Sequence, residues 1–280
     1  MPAMTNSVPA IFPGLLRPLL FGHRGASRHA PENTWEAFEL ALCLGADVLE
    51  LDVHGTRDGE IVVMHDATVE RTTNGHGRVC DLTYDELTNL DAGYRFTMGP
   101  GEYVFRGRGV IVPRLADVLA QFGRAAFNIE IKQHEPSMIR PLLAALERAG
   151  TSQVVLAAAD DTIMAELEAS RPGVPLGLSM GQVFTVVRDA WRGRLPRQFS
   201  GRALQIPPRH YGFPVASGRV LAAARAAGIE VHLWTLNHPR QVARWLGQVD
   251  GIMSDDPGAM AGLVIDEKER RSRARSYAGG

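Results

Sequence analysis

Residues 21–66 read FGHRGASRHAPENTWEAFELALCLGADVLELDVHGTRDGEIVVMHD, a strand, a helix and a hairpin with titratable residues at each joint. Leu19, Leu20 and Phe21 form an apolar run that predicts a strand, and Gly22 to Gly25 turn the chain out of it. His23 and Arg24 therefore fall at a strand's carboxyl end. Asn33-Thr34 offers a helix N-cap, followed by Trp35, Phe38, Ala41, Leu42 and Leu44 at helical spacing up to Gly45. From Asp47 to His54 the pattern alternates, and because strand side chains repeat every second residue, Glu50 and Asp52 point to one side. Two carboxylates flanked by Val48, Leu49, Leu51 and Val53 repel each other and lose hydration unless a cation or hydrogen bonds compensate; a metal site meets that need. Arg57-Asp58-Gly59-Glu60 is too short for a helical crossover, so Ile61 to Met64 is expected to return antiparallel and bring His65 back beside Asp52.

Two histidines, two carboxylates and an arginine in one such unit suit the hydrolysis of a phosphate ester. That reaction needs hard oxygen ligands for a metal, a base and an acid for the scissile bond, and cations for the anionic oxygens. Phe127 to Lys132 reads as the next strand and puts Asn128, Glu130 and Lys132 on one side, making Glu130 the natural third carboxylate and Lys132 a cation beside it. One histidine alone reads as a structural, hydrogen-bonded residue; His23 and His65 together at strand ends beside carboxylates point to catalysis. His54 shares parity with Asp52 and is the nearest of the remaining histidines to the site.

Strands and helices then alternate: strands at Val154 to Ala158, Leu176 to Ser179, Ala203 to Ile206, Val231 to Thr235 and Gly251 to Met253, with helices at Thr162 to Ser170, Gln182 to Trp191, Val215 to Ala227, Pro239 to Leu246 and Gly258 to Val264. With the return strand at Ile61 to Met64 as an antiparallel extra, eight parallel strands remain, which predicts a closed α/β barrel. We divide the chain into an N-terminal extension over 1–18, a barrel domain over 19–265 and a charged, solvated tail over 266–280. An insertion over about 67–110, with one helix at Tyr84 to Leu90 introduced by Thr83, is expected to pack over the barrel's carboxyl-end mouth.

His23-Arg24-Gly25, Pro31-Glu32-Asn33-Thr34, Glu50-Leu51-Asp52, Thr56-Arg57-Asp58-Gly59, His65-Asp66, Arg71-Thr72-Thr73-Asn74-Gly75 and Leu90-Asp91-Ala92-Gly93 together resemble the glycerophosphodiester phosphodiesterase family. Asn128-Ile129-Glu130-Ile131-Lys132, Trp234-Thr235 and Asp250 through Pro257 extend the likeness over nearly the whole chain, with Ser254 where the family often has threonine. The resemblance implies a distorted TIM barrel, a divalent cation, and hydrolysis of glycerophosphodiesters to glycerol 3-phosphate and an alcohol. On that reading Glu50, Asp52 and Glu130 hold Ca²⁺ or Mg²⁺, Arg24 and Lys132 bind phosphate oxygens, His23 and His65 are the acid and base, and Trp234 is a wall for glycerol. An all-carboxylate ligand set favours a hard cation over zinc. Water and the glycerol 2-hydroxyl both stand as the attacking group.

Two rival activities and a non-catalytic one follow from the same residues. A lysophospholipase D-like enzyme would bind an acyl chain, for which Pro207 to Phe213 and Phe96 to Val104 offer an apolar lip. A phosphodiester-binding barrel without turnover is at odds with a full set of acid, base and ligands. A zinc amidohydrolase would carry His-x-His near the first strand, and the chain has none. A net charge of −1 provides no field for nucleic acid or anionic membrane, and no run of eighteen apolar residues predicts a span. Pro9, Pro13 and Pro18 interrupt the only apolar stretch near the start, so the expectation is a cytoplasmic protein with a small-molecule substrate. Cys43 and Cys80 lack disulfide or metal-ligand spacing and read as packing residues.

Overall fold

The structure is a computed structural model and describes residues 10–278; the first nine residues of the extension, the last two of the tail and the side chains of Arg275, Tyr277 and Ala278 lie outside the described residues. In chain order the elements are β1 (Leu19–His23), α1 (Trp35–Cys43), β2 (Val48–Gly55), β3 (Ile61–Val63), α2 (Tyr84–Thr88), α3 (Leu115–Gln121), β4 (Ala126–Ile131), α4 (Ile139–Ala149), β5 (Val154–Ala157), α5 (Asp161–Ser170), α6 (Met180–Trp191), β6 (Ala203–Ile206), β7 (Arg209–His210), β8 (Phe213–Pro214), α7 (Gly218–Ala226), β9 (Glu230–Leu233), α8 (Pro239–Trp245), β10 (Gly251–Ser254) and α9 (Pro257–Ala278).

Seven strands form a curled parallel sheet in the order β5-β4-β2-β1-β10-β9-β6, and β3 pairs antiparallel with β2. Leu176 bridges to Leu156 of β5 and Gly177 to Ala203 of β6, so these two residues join the edges of the sheet into a distorted TIM barrel. The strand expected at Leu176 to Ser179 is thus reduced to its first two residues. Ser179 leaves the ladder because its side chain caps α6, accepting from the Gln182 amide while Gln182 reaches back to the Ser179 amide.

Alternation along the strands sorts the residues into two environments. Leu49, Leu51 and Val53 of β2 and Phe127, Ile129 and Ile131 of β4 point outward into one apolar layer under the helices. Leu204 and Ile206 of β6, Val231 and Leu233 of β9 and Ile252 of β10 do the same on the other half. The opposite parity lines the barrel. At its amino end Leu19, Phe21, Val48, Ala126, Val155 and Met253 pack with Ile11 and Phe12, so part of the N-terminal extension plugs the barrel floor. Inward positions are also polar: Gln205 Nε2 donates to Asn128 Oδ1 at 2.6 Å, and toward the amino end the fully buried His232 lies 3.3 Å from Glu230, which Arg17 holds at 2.6 Å.

Three features were not anticipated. Helix α4 follows β4 and was not recognised, and β7 and β8 form a small hairpin just before the helix expected from Val215; Ser217 caps that helix, α7, so that it begins at Gly218. The charged tail is helical through Ala278. Glu267 pairs with Arg270 and Arg271, three and four residues on, and Lys268 Nζ reaches Asp47 at 2.6 Å, which ties the tail to the start of β2. The insertion carries its expected helix, capped by Thr83 and Glu86, over its own small core of Val69, Val79, Leu87 and Ala92. Among the described residues no helix is long and apolar enough to cross a membrane.

Gly25 ends the turn out of β1 with φ at +83°, and an added Cβ would lie 2.6 Å from the Ala37 backbone. Gly25→Ala is therefore predicted to cost at least about 2 kcal/mol, read as a lower urea midpoint at unchanged slope. An unchanged midpoint would contradict the close approach of α1 to this turn.

Candidate active site

Register alone brings the site together. His23 at the end of β1 is the Cα partner of Glu50 on β2, Glu50 is the partner of Asn128 on β4, and Asp52 is the partner of Glu130. All point inward at the carboxyl end of the barrel, where barrel enzymes build their sites. Ligand oxygens of Glu50, Asp52 and Glu130 lie within 4.8 Å of one another, with Glu50 and Asp52 buried. Met64 N donates to Asp52 O at 2.9 Å, and this hydrogen bond returns His65 beside Asp52, as the hairpin length predicted.

Asp52 is heavily supported. Lys132 Nζ lies 3.1 Å from Asp52 Oδ1 and 2.8 Å from Glu130 Oε1, Arg24 Nε lies 3.3 Å from Asp52 Oδ2, and Asn33 Nδ2 donates to Asp52 Oδ2 at 2.9 Å. Burial works against its charge, yet Lys132 and Arg24 hold the Asp52 carboxyl below its ordinary range. Glu50 differs. It accepts one hydrogen bond, from the Arg24 amide at 2.8 Å, and among the described residues no side-chain cation lies within 4 Å of it. Burial first, and the Asp52 charge second, push its carboxyl up to about 8. Three clustered carboxylates, two of them buried, are a donor set that could hold a hard divalent cation.

Each histidine is oriented by an aspartate. His23 Nδ1 donates to Asp255 Oδ1 at 2.6 Å, and His65 Nδ1 donates to Asp66 Oδ1 at 2.6 Å. The carboxylate partner fixes hydrogen on Nδ1 and leaves Nε2 as the nitrogen free to exchange a proton. Burial opposes charge on His23, but the Glu50 and Asp255 carboxylates raise it overall. Asp255 also accepts from Asn237 and from Ser27 Oγ at 3.1 Å, so it is locked from three sides. On the other side, Arg71 from the insertion grips Asp66 at 2.5 Å and Glu32 at 2.7 Å, and Glu32 holds Arg24 at 2.9 Å. This chain of charges ties the insertion to both His65 and Arg24.

Sequence reasoning quoted Glu32, Asn33, Asp66, Arg71 and Asp255 as parts of motifs and gave them no role in the site; Asn33 entered only as part of the Asn33-Thr34 cap, which Thr34 fills. A polar residue next to a histidine, or a loop arginine with no partner in its own segment, was the available signal. His54 does not join the carboxylates; its Nε2 donates to the His65 carbonyl at 3.2 Å and supports the loop. Trp234 stands apart from the charged cluster, 40 % exposed, on the wall of an apolar cavity of about 430 Å³.

Comparison with known proteins agrees with this geometry. The model of the glycerophosphoryl diester phosphodiesterase family matches residues 23–259. A glycerophosphodiester phosphodiesterase of Caldanaerobacter subterraneus subsp. tengcongensis is 32% identical over 256 residues, covering 89% of this chain and 98% of the relative. A lysophospholipase D of Mus musculus is 26% identical, over 89% of this chain and 83% of its own. Among solved structures, an Oleispira antarctica phosphodiesterase in complex with the product sn-glycerol-3-phosphate superposes with a TM-score of 0.69 at 26% identity, covering 89% of this chain and 97% of that one. A glycerophosphodiester phosphodiesterase of Agrobacterium tumefaciens superposes with a TM-score of 0.69 at 30% identity, covering 87% and 99%. On the strength of a family match across most of its length, the chain belongs to the glycerophosphoryl diester phosphodiesterase family.

Proposed function

We propose that the chain hydrolyses glycerophosphodiesters to glycerol 3-phosphate and an alcohol, with Glu50, Asp52 and Glu130 holding a divalent cation and His23 and His65 moving the protons. The observation that carries this reading is the lone buried Glu50 carboxylate beside two others, flanked by two imidazoles whose Nδ1 atoms are already engaged by aspartates. A bound Ca²⁺ or Mg²⁺ would supply Lewis acidity at a non-bridging phosphate oxygen. Arg24, planar and forked, and Lys132, a point charge, offset the remaining negative charge as the transition state forms. Nε2 of one histidine takes the proton of the attacking hydroxyl, and Nε2 of the other gives a proton to the leaving alkoxide. Trp234 serves as a wall for the glycerol carbons. The sn-glycerol-3-phosphate named in the Oleispira structure is the product that this reaction would release.

His23→Ala and His65→Ala are each expected to lower kcat by at least about a hundredfold with thermal midpoints near the parent's; near-normal turnover in either variant removes that histidine from the mechanism. Asp255→Asn should lower kcat by at least about tenfold while leaving KM within a factor of two or so, because it disturbs only the orientation of His23. Chelation should abolish turnover, and restoring Ca²⁺ or Mg²⁺ should recover it. The Glu50 shift adds a sign test. Its folded pKa, about 8, lies above its ordinary value of 4.5, so between these the metal-free folded chain binds more protons than the unfolded one and loses stability as pH rises. The metal-free protein should therefore melt lower at the alkaline side of that window, Glu50→Gln should flatten the trend, and added cation should restore the loss. A trend of opposite sign would contradict the isolation of Glu50.

A further inference from the structure

The net charge of −1 conceals an asymmetry. Residues 180–219, which carry α6, β6, the β7–β8 hairpin and the start of α7, hold seven arginines and one acidic residue, Asp189, and leave the rest of the chain with 23 cationic side chains against 30 acidic ones. Six of those arginines are exposed, Arg202 being half-buried. The same segment holds half of the exposed large apolar side chains among the described residues: Met180, Phe184, Trp191, Leu195, Tyr211 and Phe213. Scattered apolar residues on a surface need no explanation, but a contiguous group mixed with cations does.

These side chains adjoin one another. Helix α6 satisfies the core with Val186 and Ala190, yet it carries a second apolar stripe, Met180, Phe184 and Trp191, at helical spacing. Met180 and Phe184 border one space with His210 and Phe213 of the hairpin, and the Trp191 and Phe213 rings lie 6.3 Å apart. Phe184 is 67% exposed, Phe213 56% and Tyr211 97%, so the hairpin tip and the outer stripe of α6 are both open to solvent. Cations stand among them: the Arg219 guanidinium lies 5.3 Å from the Trp191 ring centre, and on the far side of the hairpin a cavity of about 390 Å³ has Arg209 and Arg244 as its charged lining and no carboxylate. The neighbouring acids are already engaged, Asp189 by Arg188 at 3.0 Å, Glu168 by Arg202, and Asp161 by the Gly181 amide at 3.1 Å. A face that offers both unshared positive charge and exposed aromatic surface matches the interface of an anionic bilayer, where phosphates lie above hydrocarbon. A second copy of the chain is a poorer occupant, since a two-fold contact here sets arginines against arginines. Nucleic acid would use the cations but leaves Met180 and Leu195 without a role.

We infer that α6 and the β7–β8 hairpin form a membrane-docking face, by which the chain settles reversibly on an anionic bilayer with Phe184, Tyr211 and Phe213 in the interfacial layer and the surrounding arginines against lipid phosphates. The inference concerns where the chain works and holds whatever diester it cuts. Ile206 at the end of β6 and Trp234 after β9 border the same space as Met180 and Phe184, so docking by this face sets that side of the barrel mouth toward the bilayer. Because vesicle binding is measured without turnover, its failure and the failure of the hydrolytic reading are told apart.

The test is co-sedimentation of the full chain with vesicles of phosphatidylcholine alone and of phosphatidylcholine mixed with phosphatidylglycerol. Binding is expected to the mixed vesicles, at least about tenfold weaker to the neutral ones, and falling as salt is raised, since the attraction between arginines and the surface is screened. Phe184→Ser and Phe213→Ser should each weaken it about tenfold, and Arg192→Gln and Arg194→Gln about fivefold each. All four side chains are exposed, so thermal midpoints and turnover of a soluble glycerophosphodiester should stay at the parent's. Met98→Ser with Tyr103→Ser, which removes exposed apolar surface from the insertion, should leave vesicle binding unchanged. Brominated acyl chains should quench the tryptophan fluorescence of bound protein, and Trp191→Phe should remove most of that quenching. No binding to the mixed vesicles, or binding that survives the phenylalanine and arginine variants, overturns the docking face. A concentration-dependent dimer that Phe184→Ser dissociates, with no vesicle binding, overturns it in favour of a second copy of the chain. Retention of a single-stranded oligonucleotide in place of vesicles overturns it in favour of nucleic acid.

Discussion

Burial of the Glu50 carboxylate without a cation of its own is the constraint from which the site is built. Strand β2 lies between β1 and β4 and every one of its residues is buried, so inward-facing Glu50 and Asp52 cannot recover hydration by moving outward. Asp52 is compensated by Lys132, Arg24 and Asn33. Glu50 has only a backbone amide. An unpaired buried carboxylate is tolerated when it is protonated or when a positive charge compensates it.

Everything around that pair is arranged to keep it in place. The Arg24 turn has a left-handed residue, φ +56°, that aims its amide at Glu50 while its guanidinium returns to Asp52 and Glu32. Such backbone strain collects at working sites and is held by the surrounding packing, here α1 pressed against Gly25. Asp66 and Asp255 orient the imidazoles, and Arg71 couples one of them to the insertion, so a loop that looks peripheral in the chain is part of the site's scaffold.

The fold and the charged centre were legible because period-two alternation and short turns translate directly into geometry. Glu50 and Asp52 had to share a face, and the four-residue turn at Arg57 to Glu60 had to return His65 to Asp52. What escaped the sequence is long-range or context-bound. Asp255 and His23 are 232 residues apart, and nothing in either segment announces a pairing that exists only once β10 lies beside β1. The tail's helix escaped because its charges announce solvation and not structure, whereas Glu267 and Lys268 find partners on the helix and on Asp47. The apolar cavity was visible only as a possible lip at Pro207 to Phe213, since its roof comes from α6, far back along the chain.

The most direct measurement of the central claim is anomalous diffraction from crystals of the chain soaked in Mn²⁺ and recorded at the manganese edge. The account predicts one strong anomalous peak at ligand distance from Glu50, Asp52 and Glu130, with His23 and His65 on either side of the open coordination face. A peak elsewhere, or no peak with Lys132 still bridging Asp52 and Glu130, would contradict it.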